Sequence, residues 1–373
     1  MIFLGAGASA PFGIPTSKTL TSDIRILLAE EYQKLLDKID EFWREIYEKE
    51  PNYENILTFL SGLTNPRKIP KESVVQAFIR SNQAFRKDYN GIIDKMYSKI
   101  VDYCTAPFVR GEKHLTAEQL EEIFGNTYDI FALFEKDPIF TTNYDPSIEI
   151  WCQKRNIQLH DNTGPTHNPE VREVLPIGQA GGQTMLSYRQ EKGSPALRII
   201  RLHGSTWVYE SKKKKKIKMN RPRDKLLFAD LYQNLSKRPH MIFPGQESLL
   251  ARGEWDALYQ TFKSTLQGNC LVIGYSFQDE TINRAFINNL DNGRLDKIGI
   301  MNSHPEEAVK NLFWDQESIP EQQIIKMPVE FGTTQTADEI SNKWFYPLMG
   351  ISYSGGPRRF LEIFRKNRRA YLE

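Results

Sequence analysis

Met1-Ile2-Phe3-Leu4-Gly5-Ala6-Gly7-Ala8-Ser9, followed by Gly13-Ile14-Pro15-Thr16, is the stretch on which the fold turns. An apolar run of β-forming residues stops at Gly-Ala-Gly, and from Ser17 onward Leu20, Ile24, Leu27 and Leu28 recur at helical spacing. The pattern is a strand, a tight turn and a helix. Glycines ahead of a helix N-terminus let backbone N–H groups approach an anion, so the turn suits a phosphate or pyrophosphate. Doubly wound sheets also use a glycine-rich first turn for packing alone. The rest of the chain has to decide between the two.

Working outward, residues 16–135 carry aliphatic and aromatic side chains three and four apart, as in Leu35, Leu36, Ile39, Phe42, Trp43 and Ile46, and again in Ile92, Ile93, Met96, Tyr97 and Ile100. That is the core face of packed helices, a large insertion after the first strand, broken in its middle by Pro66 and Pro70. Pro138-Ile-Phe-Thr-Thr-Asn-Tyr-Asp145 is then a short buried strand ending in polar side chains. Asn156–His160 is another short strand, and residues 161–250 are loop-rich and helical insertions holding Gly178, Gly181 and Gly182 and a helix over Leu226–Leu235. Arg198-Ile-Ile-Arg-Leu-His-Gly-Ser205 interrupts them as a strand ending in His203-Gly204.

A helix over Trp255–Leu266 leads into Asn269-Cys-Leu-Val-Ile-Gly-Tyr-Ser276, the clearest buried strand. A helix capped by Asp279 or Ser276 follows. Lys297-Ile-Gly-Ile-Met301 is a further strand ending in Asn302, and residues 326–373 form a helical extension with a basic finish at Arg365, Lys366, Arg368 and Arg369. Ligands in open α/β sheets lie at the carboxyl ends of the strands. A parallel sheet with crossover helices brings five such ends together: Gly5 to Ser9, Thr142-Asn143-Asp145, His203-Gly204, Gly274-Tyr275-Ser276 and Asn302.

The bulk numbers exclude several classes. Lys plus Arg is 49 against 47 for Asp plus Glu, a net of +2 over 373 residues, so no polyanion-binding footprint is present and direct nucleic-acid binding is not expected. The run Lys212 to Lys216 with Lys218 reads as a solvated hairpin tip. Cys104, Cys152 and Cys270 are far apart and odd in number, which fits neither a disulfide framework nor a Cys-x-x-Cys zinc knuckle. No apolar run reaches the ~18 to 20 residues of a membrane span, and the first strand starts at the first residue. The expected setting is the cytoplasm, without a membrane or a metal.

The five strand ends together resemble the sirtuin-like, silent-information-regulator family. Gly5-Ala6-Gly7-Ala8-Ser9 with Gly13-Ile14-Pro15 is similar to its Gly-Ala-Gly-x-Ser and Gly-Ile-Pro phosphate loop. Thr142-Asn143-Tyr144-Asp145 is similar to its Gln-Asn-x-Asp element with Thr in place of Gln, and Leu202-His203-Gly204 resembles its catalytic His-Gly. Gly274, Tyr275, Ser276 and Asn302 stand where the family contacts ribose, phosphate and adenosine. The resemblance implies an α/β fold, a Rossmann-like parallel sheet over residues 1–325, with NAD as the substrate.

Two departures from the deacylases narrow the expectation. No pair of Cys-x-x-Cys motifs supplies a zinc module, and the loop continues as Thr16-Ser17-Lys18 where Asp-Phe-Arg is usual. Both suit the prokaryotic branch that hydrolyses NAD, as does Phe277-Gln278-Asp279-Glu280-Thr281-Ile282-Asn283. The resemblance then implies an NAD-depleting effector of antiphage defence (abortive infection), a homo-oligomer, and a partner that senses infection, such as an ATPase or nucleic-acid-binding subunit. Asn143 and His203 are the expected catalytic residues. Gly5, Ala6, Gly7, Ser9, Thr142, Asp145, Gly274, Tyr275, Ser276 and Asn302 are the expected NAD contacts. Within that set, Gly5, Gly7 and Ser9 would hold the pyrophosphate through N–H groups and a hydroxyl, and Asp145 would accept from the nicotinamide amide. Asn143 or Asp145 serving only as helix caps stays open. So do an NAD-dependent protein deacylase and a non-catalytic NAD or ADP-ribose sensor.

Overall fold

The computed structural model describes residues 1–48, 50–69, 71, 73–108, 115–124, 128, 131, 138–155, 157–160, 163–164, 171–174, 196–211, 216–219, 235–241, 254–314, 316 and 318–328. The glycines at 178, 181 and 182, the lysines at 212–215 and the tail from 337 lie outside these residues. So does the helix expected over 226–235, except for Leu235, which opens a strand.

Strand β1 (Ile2–Leu4) is flanked by β2 (Ile139–Thr141) on one side and, on the other, by a parallel strand over Gly268–Ile273. Parallel register aligns Ile2 with Ile139 and Leu271, Phe3 with Phe140 and Val272, and Leu4 with Thr141 and Ile273. Because side chains alternate along a strand, equal register means equal face. Ile2, Leu4, Ile139, Leu271 and Ile273 therefore enter one core with Phe12, Phe124, Tyr128 and Trp151. Phe3, Phe140 and Val272 enter the other with Phe262, Phe286 and Leu290. Burial on both faces is why these strands read as unbroken apolar runs.

Between β1 and β2 runs the helical block: α1 (Ser17–Tyr47), α2 (Tyr53–Thr64), α3 (Val74–Ser81), α4 (Asn90–Thr105) and α5 (Ala117–Ile123). Thr16 caps α1, and Asn52 with Asn55 forms a reciprocal capping box on α2. Pro66 breaks the block as expected, opening a short 3-10 turn over Pro66–Lys68. Leu20, Ile24 and Leu28 of α1 meet Ile56, Phe59 and Leu60 of α2 and Ile93 and Met96 of α4 in a third core, which also takes in Tyr144 and Met241. The block is thus packed against the loop after β2.

After β2 come α6 (Ser147–Arg155), β3 (Gln158–His160), β4 (Thr163–Gly164), β5 (Val171–Val174), β6 (Ala196–Arg201), β7 (Gly204–Ser211), β8 (Lys216–Met219) and β9 (Leu235–Met241). The expected strand Arg198–Ser205 is two strands. β6 stops at Arg201, and Gly204, at φ 87°, turns the chain out of the parallel sheet into an antiparallel one ordered β4-β5-β8-β7-β9. Only a residue without a Cβ tolerates that dihedral beside the carbonyl of His240, which would stand 2.2 Å from one. The second sheet is braced on α4 by Arg238 Nε to Asp94 Oδ1 at 2.5 Å.

The chain returns through α7 (Glu254–Thr265), β10 (Gly268–Ile273), α8 (Glu280–Asp291), β11 (Leu295–Asn302), α9 (Pro305–Leu312) and β12 (Ile324–Pro328). The last helix and strand were not expected from the sequence. The seven parallel strands are ordered β12-β11-β10-β1-β2-β6-β3, so the strand order reverses between β1 and β10, where such sheets open a crevice. Gly5 N–H donates to the Ile273 carbonyl at 2.9 Å and Gly7 N–H to that of Gly274 at 2.8 Å, joining the two loops at that point. Gly274 has φ 63°, and a Cβ there would lie 2.2 Å from Ala8 N and 2.4 Å from Gly7 C. Gly274→Ala is expected to cost about 3 kcal/mol or more, since backbone has to move on both loops. A urea midpoint unchanged from wild type would contradict this packing.

Candidate active site

Each of the five expected strand ends lies at the carboxyl edge of the parallel sheet. β1 is followed not directly by α1 but by a 3-10 turn over Ala6–Phe12, closed by Gly13 at φ 75°. This turn, rather than the start of α1, directly follows the strand end. The N–H groups of Gly5 and Gly7, read as pyrophosphate donors, donate to the carbonyls of Ile273 and Gly274.

Asn143 reaches across from the end of β2. Its Nδ2 donates to the Gly5 carbonyl at 2.8 Å and to Ser9 Oγ at 3.0 Å. A carbonyl only accepts, so the amide nitrogen faces the loop and Oδ1 is presented on the opposite side as an acceptor. Ser9 Oγ in turn donates to Asp145 Oδ2 at 2.7 Å, and Asp145 Oδ1 accepts the Ser147 N–H at 3.0 Å. Asp145 is therefore both a cap for α6 and the far end of a chain that orients Asn143. It is 3% exposed, with both oxygens already accepting, which leaves it ill placed to meet an amide from solution. Thr142 and Asn143 are half-buried on the same loop, and Thr142 N–H donates to the Leu4 carbonyl at 3.2 Å.

Arg201, not singled out from the sequence, holds this loop from behind. Nη1 donates to the Asn143 carbonyl at 2.6 Å, Nη2 donates to the Asp145 carbonyl at 2.8 Å, and Nη2 pairs with Glu149 Oε2 at 2.5 Å. The signal was an arginine beside Ile199 and Ile200 in a strand buried on both faces, a place that requires a partner.

His203 follows in the bend between β6 and β7, 5% exposed, with Nε2 3.0 Å from Asp279 Oδ2. Asp279 caps α8 through its other oxygen, which accepts from Thr281 N at 2.9 Å and Ile282 N at 3.2 Å. Of the two expected caps, it is Asp279 and not Ser276 that serves. An ionised carboxylate only accepts, so Nε2 carries the proton and the lone pair lies on Nδ1. The histidine and its carboxylate come from opposite sides of β1.

The remaining expected contacts are less concentrated. Tyr275 is buried against Phe3 and Phe277, ring centroids 4.8 and 4.9 Å away. Ser276 is exposed, and Asn311 Nδ2 donates to its carbonyl at 2.9 Å. Asn302 Nδ2 donates to the Tyr275 carbonyl at 3.0 Å, and its Oδ1 accepts the His304 N–H at 3.1 Å. These residues shape the β10 and β11 side of the crevice. Among the described residues no group of three or more His, Cys, Asp or Glu is placed to hold a metal ion, and no helix is long and apolar enough to cross a membrane.

Comparison with known proteins bears on residues 137–319, which match the family model described as a SIR2-like domain. Among solved structures, a Sir2 homologue in complex with NAD is similar over 92% of this chain and 88% of its own, at 12% identity and a TM-score of 0.41. A Sir2 homologue mutant in complex with ADP-ribose covers 95% and 94%, at 12% identity and a TM-score of 0.42. A Sir2 complex with a p53 peptide and NAD+ covers 92% and 91%, at 12% identity and a TM-score of 0.33. A search among curated proteins finds no match. Residues 137–319, which hold Asn143 after β2, His203 after β6 and Asp279 at the head of α8, thus match a SIR2-like domain, and the chain builds a Rossmann-like parallel sheet.

Proposed function

We propose that this protein hydrolyses NAD at the bond between nicotinamide and ribose, releasing nicotinamide and ADP-ribose. The observation that carries the reading is the convergence of Asn143 and the His203–Asp279 pair at the carboxyl edge of the sheet, beside the reversal in strand order. Nicotinamide leaves as a neutral base from a cationic ring, so its departure needs no strong general acid. What it needs is an enclosed pocket, fixed dipoles facing an oxocarbenium-like ribose, and a base for the attacking water.

In this reading the Oδ1 of Asn143 accepts from a ribose hydroxyl or the water. His203, its tautomer set by Asp279, takes one proton from the water as the oxygen bonds to the anomeric carbon and the nicotinamide nitrogen takes the bonding pair. The proton then passes to solvent. Asp145 acts through Ser9 as a positioning residue, and the Ala6–Phe12 turn faces the pyrophosphate. Release of nicotinamide without any acceptor peptide would deplete NAD, the chemistry of an abortive-infection effector governed by assembly or by an infection-sensing partner.

Incubation of purified protein with NAD, with and without an acetylated peptide, tests the reading by product chromatography. Nicotinamide and ADP-ribose in equal amounts without peptide are expected, and Asn143→Ala should reduce them by about 10²-fold while folding is retained. Acetyl-ADP-ribose formed only with peptide would make the protein a deacylase. NAD binding by calorimetry without turnover would make it a sensor.

A further inference from the structure

The helical block sends an acidic side chain toward the site. Glu54 stands in the first turn of α2, half-buried, where Oε1 accepts the Tyr53 hydroxyl at 3.0 Å and the Tyr144 hydroxyl at 2.9 Å. Tyr144 is the residue between Asn143 and Asp145. Its ring lies 6.4 Å from the His203 imidazole with 30° between the planes, and its carbonyl accepts from both the N–H and the Oγ1 of Thr206 at 3.0 Å. Tyr144 is held at its backbone by β7 and at its hydroxyl by α2. Two carboxylates from different elements therefore bear on His203: Asp279 in direct contact, and Glu54, which holds the hydroxyl of the neighbouring Tyr144.

We propose that Glu54 is a positioning residue of this site, holding Tyr144 against His203 and, together with Asp279, setting the charge state of the imidazole, so that the helical block acts on the site through one carboxylate. This rests on the reading of His203 as the base. The electrostatics agree with the geometry. Burial pushes the Glu54 carboxyl above the usual carboxylate range, His203 and the two tyrosine hydroxyls pull it back, and Asp279 pushes it up. Coupling between two sites is reciprocal, so a charged Glu54 favours the imidazolium form of His203. Groups that bear on His203 include Asp279 from the head of α8, Tyr144 from the loop after β2 and Glu54 from α2. Burial raises the Tyr144 hydroxyl well above its ordinary range, with Glu54 adding to the rise, so it stays neutral wherever His203 titrates.

The test is an NMR titration of the full chain with ring-labelled histidine. Of the six histidines, His203 is assigned by the signal lost in His203→Gln. Glu54→Gln keeps the size of the side chain and an acceptor for both tyrosines, and removes only the charge. The His203 midpoint is expected to fall by roughly half to one pH unit, and the acid limb of kcat/KM for NAD to move down with it, with KM near wild type. A midpoint within about 0.2 of wild type would overturn the proposal. Should Glu54→Gln fail to fold, Tyr144→Phe carries the test, because the lost hydroxyl helps to keep the Glu54 carboxyl ionised and its removal weakens that charge; the midpoint is again expected to fall, and an unmoved one overturns the proposal. The titration does not depend on turnover. A shifted midpoint in a protein that leaves NAD intact defeats the hydrolase reading alone, whereas an unmoved midpoint in an active enzyme defeats the role of Glu54 alone.

Discussion

His203→Ala is expected to lower kcat for NAD cleavage by about 10³-fold, within the 10² to 10⁴ that a positioned general base contributes. The residue is 5% exposed and its loss leaves a small hole beside Asp279, but Asp279 keeps its cap on α8, so the fold should survive. Asp279→Asn separates the two duties of that carboxylate. Asn caps a helix nearly as well as Asp, whereas the charge that stabilises an imidazolium is gone. Its turnover should fall between wild type and His203→Ala, with far-UV circular dichroism unchanged. Both rates come from steady-state nicotinamide release. Turnover by His203→Ala within about threefold of wild type would remove the histidine from the chemistry.

Arg201→Ala is expected to destabilise the protein by about 3–5 kcal/mol, because removing one partner of a buried ion pair strands the other. Glu149 is the one left, its side chain 5% exposed and deprived of the guanidinium, and the carbonyls of Asn143 and Asp145 lose these donors in the same step. Glu149→Gln takes the counter-charge from Arg201 but leaves the guanidinium an amide acceptor and both carbonyl contacts, so it should cost less. Urea denaturation followed by tryptophan fluorescence measures both. A loss below about 1 kcal/mol for Arg201→Ala, the worth of an exposed pair, would mean the pair is not buried in solution. Since Arg201 fixes the backbone on either side of Tyr144, activity should fall further than the folded fraction does.

Local pattern determined a great deal of this protein. Apolar runs of three to six residues ending in Gly, Asn or His specify buried parallel strands, because a strand covered on both faces has no polar alternation to show. The strand ends near Gly5, Thr141, Ile273 and Asn302 follow from that, whereas β6 stops at Arg201, short of the expected His203-Gly204. Helical spacing in the block after β1 was equally plain, since its side chains at intervals of three and four make a core of their own.

Tertiary structure alone decided which partner each polar side chain takes. Nothing near Arg201 in sequence shows that it will grip Glu149 and two carbonyls 52 to 58 residues earlier. Asp279 reads as an ordinary N-cap, and only the placement of β10 and β6 on opposite sides of β1 and β2 brings its second oxygen to His203, 76 residues away. Gly5 and Gly7 read as phosphate donors, yet those N–H groups donate to the carbonyls of Ile273 and Gly274 and tie the loop after β1 to the end of β10. Glu54 was not singled out from the sequence at all. Periodicity records which face of an element is buried; it does not record which buried donor will meet which acceptor, because that depends on contacts between elements far apart along the chain.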